Sequence, residues 1–231
     1  MAQELIRTEN LTKNYRLGES IVHALRGVSL KIDAGEFLSI MGPSGSGKTT
    51  LLNLLGALDL PTSGKVFLDG VDLTQVSERK LYEVRRNKVG FVFQHFYLIP
   101  TLTTFENVLV PVIPVENNRR FRDRAEKLLS MVGLEERMNH KPNQLSGGEQ
   151  QRVAICRALI NSPEVLFCDE ITGELDSATG EKIIHLLKEI NQTEGVTVVF
   201  VTHDPIVSSR SNRIITLKDG KITSDRSPSS T

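Results

Sequence analysis

Gly42, Pro43, Ser44, Gly45, Ser46, Gly47, Lys48 and Thr49 read GPSGSGKT, which satisfies G-x-x-x-x-G-K-[ST] at every position. Glycines let successive backbone N–H groups turn toward one anion, and a helix starting at the end of such a loop adds its own donors. The ammonium of Lys48 suits the β- and γ-phosphates of a nucleotide. The hydroxyl of Thr49 suits a Mg²⁺ that bridges the same phosphates, and Thr50 continues the helix start. A phosphate cradle also needs carboxylates. The run VLFCD ends in Asp169, placed to hold the hydration shell of Mg²⁺. Glu170 follows at the strand exit, where it can polarise a water in line with the γ-phosphate.

These residues need elements to hold them. The apolar run 36–41 reads as a strand entering the loop, and residues 49–58 as a helix leaving it, ended by LPTSG. Further strands are expected at 5–8, 24–32, 65–68 and 88–93, with turns at Ala34-Gly35 and Asp69-Gly70. From Phe96 to about Asn143 the apolar residues recur at helical spacing, as in Ala125, Leu128, Leu129 and Val132. This stretch reads as an inserted helical lobe, with the charged segment 116–124 as a solvated helix face or loop. Helices at 149–159 and 177–191 alternate with apolar strands at 165–168 and 196–201, the pattern of buried parallel strands with crossover helices. Residues 224–231, rich in Ser and Pro, read as a flexible tail.

Composition narrows the function classes. With 231 residues and 39% hydrophobic content, the chain can bury one sizeable core. Lys plus Arg (28) balance Asp plus Glu (28), which argues against tracking a nucleic-acid backbone, so no nucleic-acid partner is expected. No apolar run approaches the roughly 20 residues that cross a bilayer. The N-terminal MAQELIRTEN lacks the apolar stretch of a secretory leader. The two cysteines, Cys156 and Cys168, sit in apolar contexts and read as small buried side chains. These features together point to the cytosol.

So far a nucleotide kinase, a GTPase and a helicase-like motor all fit. LSGGEQ, residues 145–150, followed by QRVAICRAL, separates them. Ser146, Gly147 and Gly148, with Glu149 in the same turn, place a hydroxyl and backbone N–H groups at a helix start, a second anion-binding nest. Here the chain resembles the ATP-binding-cassette (ABC) ATPases over nearly its whole length. The resemblance implies an α/β fold: a P-loop NTPase core of ABC type with an N-terminal antiparallel β subdomain and an inserted α-helical subdomain. The chain then forms one domain, 1–231, with the core at 1–95 and 160–223 and the helical part at about 96–159. It also implies ATP and Mg²⁺ as cofactors, and a site completed between two subunits facing head to tail. In that arrangement the P-loop of one binds ATP against the LSGGE of the other.

Further positions follow from the same resemblance. Tyr15, in LTKNY, is similar to the aromatic that stacks on adenine. Gln94, in FVFQHF, resembles the glutamine that senses Mg²⁺ and the membrane partner. Asp176, in GELDSAT, resembles the loop that crosses the dimer interface. His203, in VFVTHD, resembles the histidine that contacts the γ-phosphate. Lys48, Glu170 and His203 are thus the expected catalytic set, and Thr49, Gln94 and Asp169 the expected metal set. One position departs from the family: Ile171 stands where a proline usually follows the glutamate. Isoleucine restores an N–H and frees φ, which is expected to change local rigidity and leave the carboxylates untouched.

The wording around these motifs is most similar to the cassettes that serve lipoprotein release, macrolide-type export, peptide-antibiotic resistance and cell division. That implies a second copy of the chain, or a homologous cassette, as dimer partner. It also implies a separate integral membrane permease, with the chain held through it on the cytoplasmic side of the membrane. An ATPase for an amino-acid or metal-ion importer, and a soluble non-transport cassette, are the alternatives.

Overall fold

The computed structural model describes residues 3–113 and 118–227. β1 (Glu4–Leu17) and β2 (Ser20–Asp33) form a long antiparallel hairpin that turns at Gly18-Glu19, where Gly18 takes φ +61°. β4 (Ser63–Leu68) pairs with the other edge of β1, and β5 (Val71–Asp72) completes a four-stranded sheet in the order β2-β1-β4-β5.

The second sheet has six strands. β3 (Phe37–Met41), β6 (Val89–Val92), β7 (Val165–Asp169), β8 (Thr197–Thr202), β9 (Arg213–Lys218) and β10 (Lys221–Arg226) lie in the order β10-β9-β3-β8-β7-β6. Every pairing from β9 to β6 is parallel, and β10 alone runs antiparallel. Parallel sheets are covered on both faces, so VLFCD and TVVFVT carry apolar residues without a break. The period of two still sorts them. Val165, Phe167, Val199 and Val201 join the layer made with the first sheet, α1 (Lys48–Leu55) and α2 (Glu78–Lys88). Leu166, Cys168, Val198 and Phe200 join the opposite layer, with α5 (Gly147–Leu159) and α6 (Ser177–Glu194). Each such fully buried large side chain contributes about 1.5–3 kcal/mol.

The helical lobe comprises α3 (Thr104–Leu109), α4 (Asn118–Met131) and the start of α5. A capping box between Thr103 and Glu106 starts α3. The buried Asn107 amide donates to the carbonyls of Ile99, Leu102 and Thr103 and accepts the Ile99 N–H at 2.7 Å, fixing the loop that enters the lobe. Ala125, Leu128 and Leu129 are buried on one face of α4, and Val132 is buried in the turn that follows. Within the charged stretch 116–124, residues 116 and 117 lie outside the described residues, and from 118 it is the opening of α4, where Phe121 packs against the core.

Several expectations need correction. Ser224–Arg226 are not tail: they belong to β10, where Ser224 pairs with Thr216 and Arg226 with Ile214. Residues 228–231 lie outside the described residues. The first helix runs Lys48–Leu55, three residues shorter at its C-terminal end than expected. It stops where Gly56 lies against Phe91 too closely for any Cβ. Lys88 closes α2 rather than opening β6. Both cysteines are free and fully buried, and burial pushes both thiols well above their ordinary range.

Candidate nucleotide site

The strand order decides what meets what. β3, β8, β7 and β6 are neighbours and parallel, so the loops leaving their C-terminal ends emerge along one sheet edge, the place where open α/β sheets bind ligands. Those loops begin at Gly42, His203, Glu170 and Phe93, with Asp169 the last residue of β7.

The Gly42–Thr49 loop is shaped by backbone contacts that leave no room for side chains. A Cβ on Gly42 would stand 2.2 Å from the Leu217 carbonyl oxygen. One on Gly47 would stand 2.4 Å from the Ala24 carbonyl oxygen. Gly45 and Gly47 take φ +76° and +100°, which glycine adopts without the Cβ penalty. Gly47 also caps α1 with no side-chain acceptor. Among the described residues the N–H groups of Gly45, Gly47, Lys48 and Thr49 have no partner in the chain, and Ser46 Oγ is buried without one. Four N–H donors at an uncapped helix start are suited to phosphate oxygens.

Lys48 is buried, and its Nζ donates to the carbonyls of Gly42 and Pro43 at 2.9 and 3.0 Å. The same Nζ lies 3.8 Å from Glu170 Oε1, and Glu170 Oε2 lies 3.4 Å from His203 Nδ1. The three expected catalytic groups therefore stand in a row, with the carboxylate in the middle. Glu170 takes φ +44°, an uncommon value for a residue with a side chain, and its N–H donates to the Val201 carbonyl. Thr49 Oγ1 donates to Asp169 Oδ1 at 3.1 Å. Burial, foremost, pushes the Asp169 carboxyl above its ordinary range, with neighbouring Glu170 acting in the same direction. A carboxylate that water solvates poorly is suited to a cation. No group of three His, Cys, Asp or Glu side chains suited to a metal occurs among the described residues. A Mg²⁺ here would draw on Thr49, Asp169 and the phosphates themselves.

Gln94 stands beside the loop after Glu170. Its Nε2 is 3.4 Å from Glu174 Oε1 and within 2.9 Å of where a Cβ on Gly173 would lie. Tyr15, on β1, is about one-third exposed, and its hydroxyl donates to Asp59 Oδ2 at 2.9 Å. Lys13 binds the other Asp59 oxygen at 2.6 Å and lies 5.0 Å over the Tyr15 ring. Lys13 and Asp59 thus orient the aromatic face, and nothing in the sequence marked either residue.

The second nest is built differently. Ser146 caps α5 by accepting the Glu149 N–H. Glu149 returns a carboxylate oxygen to the Ser146 N–H at 2.7 Å and meets Arg137 at 3.3 Å. The Ser146 N–H, foremost, holds the Glu149 carboxyl below the usual carboxylate range. Glu149 is thus occupied within its own turn, while the N–H groups of Gly147 and Gly148 have no partner among the described residues. Asp176 likewise caps α6, accepting the Thr179 N–H at 3.0 Å. No hydrogen bond or ion pair among the described residues joins the Ser146–Glu149 turn to Gly42–Thr49. A hollow of about 610 Å³ runs along α6 beside Arg210 and includes none of these residues.

The fold is a P-loop NTPase core joined to an antiparallel β-sheet and a helical lobe. Residues 25–173 match the family profile described as ABC transporter. The chain is 53% identical to the ABC transporter ATP-binding protein MJ0796 of Methanocaldococcus jannaschii, over 94% of this chain and 95% of that protein. It is 48% identical to the macrolide export ATP-binding/permease protein MacB of Syntrophobacter fumaroxidans, over 95% of this chain and 31% of that protein. Among solved structures it is similar to a dimeric, post-hydrolysis MJ0796 cassette bound to ADP and Pi. That match has TM-score 0.88 and 49% identity, covering 98% of this chain and all of the other. This chain belongs to the ABC transporter family, as an ATP-binding cassette.

Proposed function

We propose that the chain hydrolyses ATP with Mg²⁺ as a head-to-tail dimer and thereby drives a separate membrane permease of the macrolide-export or lipoprotein-release type. The row Lys48–Glu170–His203 at the strand edge carries the hydrolytic reading. Lys48 binds the transferred phosphoryl group, Glu170 orients the attacking water as general base, and His203 steadies that carboxylate and reaches the γ-phosphate. The loop 42–49 with Thr50 holds the phosphates, and Tyr15 stacks on adenine. Thr49 and Asp169 would hold the metal, with Gln94 joining them from its contact with Glu174, and the ion would neutralise charge developing on the phosphate oxygens.

The dimer reading rests on the two nests. They sit on different elements, α1 and α5, in opposite layers of the molecule. The second is completed by Ser146, Gly147 and Gly148 with Glu149 as their cap, and Asp176 lies at the start of α6 alongside. The dimeric MJ0796 cassettes, one of them bound to ADP and Pi, support a dimer. Glu170→Gln should keep ATP affinity and lower turnover by roughly two orders of magnitude. It should also leave an ATP-dependent dimer that persists in sedimentation. Near-normal hydrolysis would contradict the assignment.

The permease reading rests on MacB, whose matching third is joined to more chain in a protein named for both activities. Tyr97 and Ile99 support it from this chain. Tyr97 is 65% exposed and Ile99 39% exposed, while Leu98 packs on the core. Arg157 fixes this segment by donating to the carbonyls of Phe96 and Tyr97 at 2.7 and 2.6 Å. Beside it lies a groove of about 320 Å³ lined by Tyr82, Arg85, Pro111 and Arg157. Tyr97→Asp should leave the isolated chain folded and hydrolysing while uncoupling it from the co-expressed permease. Melting of the isolated variant would assign Tyr97 to the lobe's packing instead. No helix of the described residues is long and apolar enough to cross a membrane.

A further inference from the structure

Gln151 lies one turn into α5, just beyond the LSGGE residues, and is completely buried. Its Nε2 donates to the carbonyl of Ile171 at 3.2 Å, and its Oε1 is buried without a partner. Ile171 follows Glu170 in a tight turn closed by the Gly173 N–H donating to the Glu170 carbonyl at 2.9 Å. The Ile171 side chain is buried in the layer that contains α5. The turn carrying Glu170 is therefore gripped at the next peptide by the helix that carries the second nest. A buried amide that gives one hydrogen bond and leaves its oxygen unmatched incurs a desolvation cost that packing alone does not require.

We infer that Gln151 is a positioning residue for Glu170, coupling the Ser146–Glu149 turn of one site to the carboxylate of the other. The inference rests on the head-to-tail reading above. In that arrangement Ser146 faces the partner's nucleotide while Glu170 of the same chain faces its own. A rigid α5 displaced by contact with the partner's phosphates carries Gln151 with it, and Gln151 draws on the Ile171 carbonyl. Glu170 stands at φ +44°, in a small allowed basin where a slight rotation re-aims the carboxylate relative to Lys48 and His203. Ligation of one site thus sets the geometry of the base in the other.

The test is a double-variant series on the full chain with Mg-ATP. Gln151→Met keeps the volume and removes the donor. It should lower kcat on the order of tenfold, as expected for a misplaced catalytic group, with KM for ATP changed by no more than about twofold. Placed in the Glu170→Gln background, Gln151→Met should change turnover by less than about twofold, because it acts through the missing carboxylate. An unchanged kcat in the first case, or the same tenfold loss in the second, overturns the inference. The Glu170→Gln rate in the same series reports separately on the catalytic role of Glu170. Gln151→Glu reads the contact independently of Met packing. As a neutral acid it donates to the Ile171 carbonyl, and as a carboxylate it repels it. Its turnover relative to the parent should therefore fall as pH rises. A ratio flat across the pH range in a folded variant would equally overturn the coupling.

Discussion

The two nests of this cassette present backbone N–H groups at a helix start, yet they are built by opposite means. The Gly42–Thr49 loop is shaped by close backbone approach to Leu217 of one sheet and Ala24 of the other, and α1 begins with no side-chain cap. The Ser146–Glu149 turn is shaped by side chains at the surface: Ser146, Glu149 and Arg137 in a capping box with an ion pair. Both nests leave N–H donors without a partner among the described residues, but only the first stands beside the Lys48, Asp169 and Glu170 side chains, and the second is suited to a ligand brought by another molecule. Rigidity follows the same division, because a backbone wall has no rotamers to exchange and a capping box does.

The largest effects should fall on the first nest. Gly42→Ala drives a methyl into the Leu217 carbonyl, and should cost about 3 kcal/mol or more in chemical denaturation while abolishing ATP binding. Glu149→Ala removes half of a capping box and should cost only about 1 kcal/mol in the same assay. Comparable losses at the two positions would erase the distinction between a wall and a cap. The Glu149 contribution also has a pH signature. Its folded carboxyl is held low, so its stabilisation is present above the ordinary carboxylate range and is lost as pH falls through the depressed folded value.

Asp169 behaves in the opposite sense and should give the smallest effect. Its folded carboxyl is raised by burial, so ionisation above the ordinary aspartate range costs the fold stability, and that cost disappears when both states are protonated in acid. Asp169→Asn should therefore raise the Tm of the nucleotide-free chain by a few degrees at neutral pH, and the gain should vanish at acid pH. A gain independent of pH would show that charge is not its source.

Much of the site was readable because its parts are local. GPSGSGKT both binds and shapes itself, and strands such as VLFCD show an unbroken apolar run because both faces are covered. The β1–β2 hairpin was read only in fragments, since register shifts between Thr8 and Asn14 interrupt the period of two. α2 escaped notice because only Leu81 and Val84 of its eleven residues are buried. β10 resembled a tail because an edge strand with alternate exposed polar residues carries no apolar signal. The row Lys48–Glu170–His203 depends on β8 lying between β3 and β7, a fact of topology that no stretch of sequence contains. Ile171 was noticed for the proline it replaces, but the grip of Gln151 on its carbonyl leaves no mark in the chain.

The claim that each nucleotide site is shared between two chains is tested most directly by mixing two inactive variants and measuring ATPase. Lys48→Ala disables the first nest, and Ser146→Arg fills the second, so each variant alone has two broken sites in its homodimer. In the mixed dimer both lesions fall on one site and the other is intact. Each variant alone should be inactive, and mixing should restore part of the parent activity in proportion to the mixed-dimer fraction. Full activity of the Ser146→Arg chain alone, rising strictly linearly with protein concentration, would contradict it.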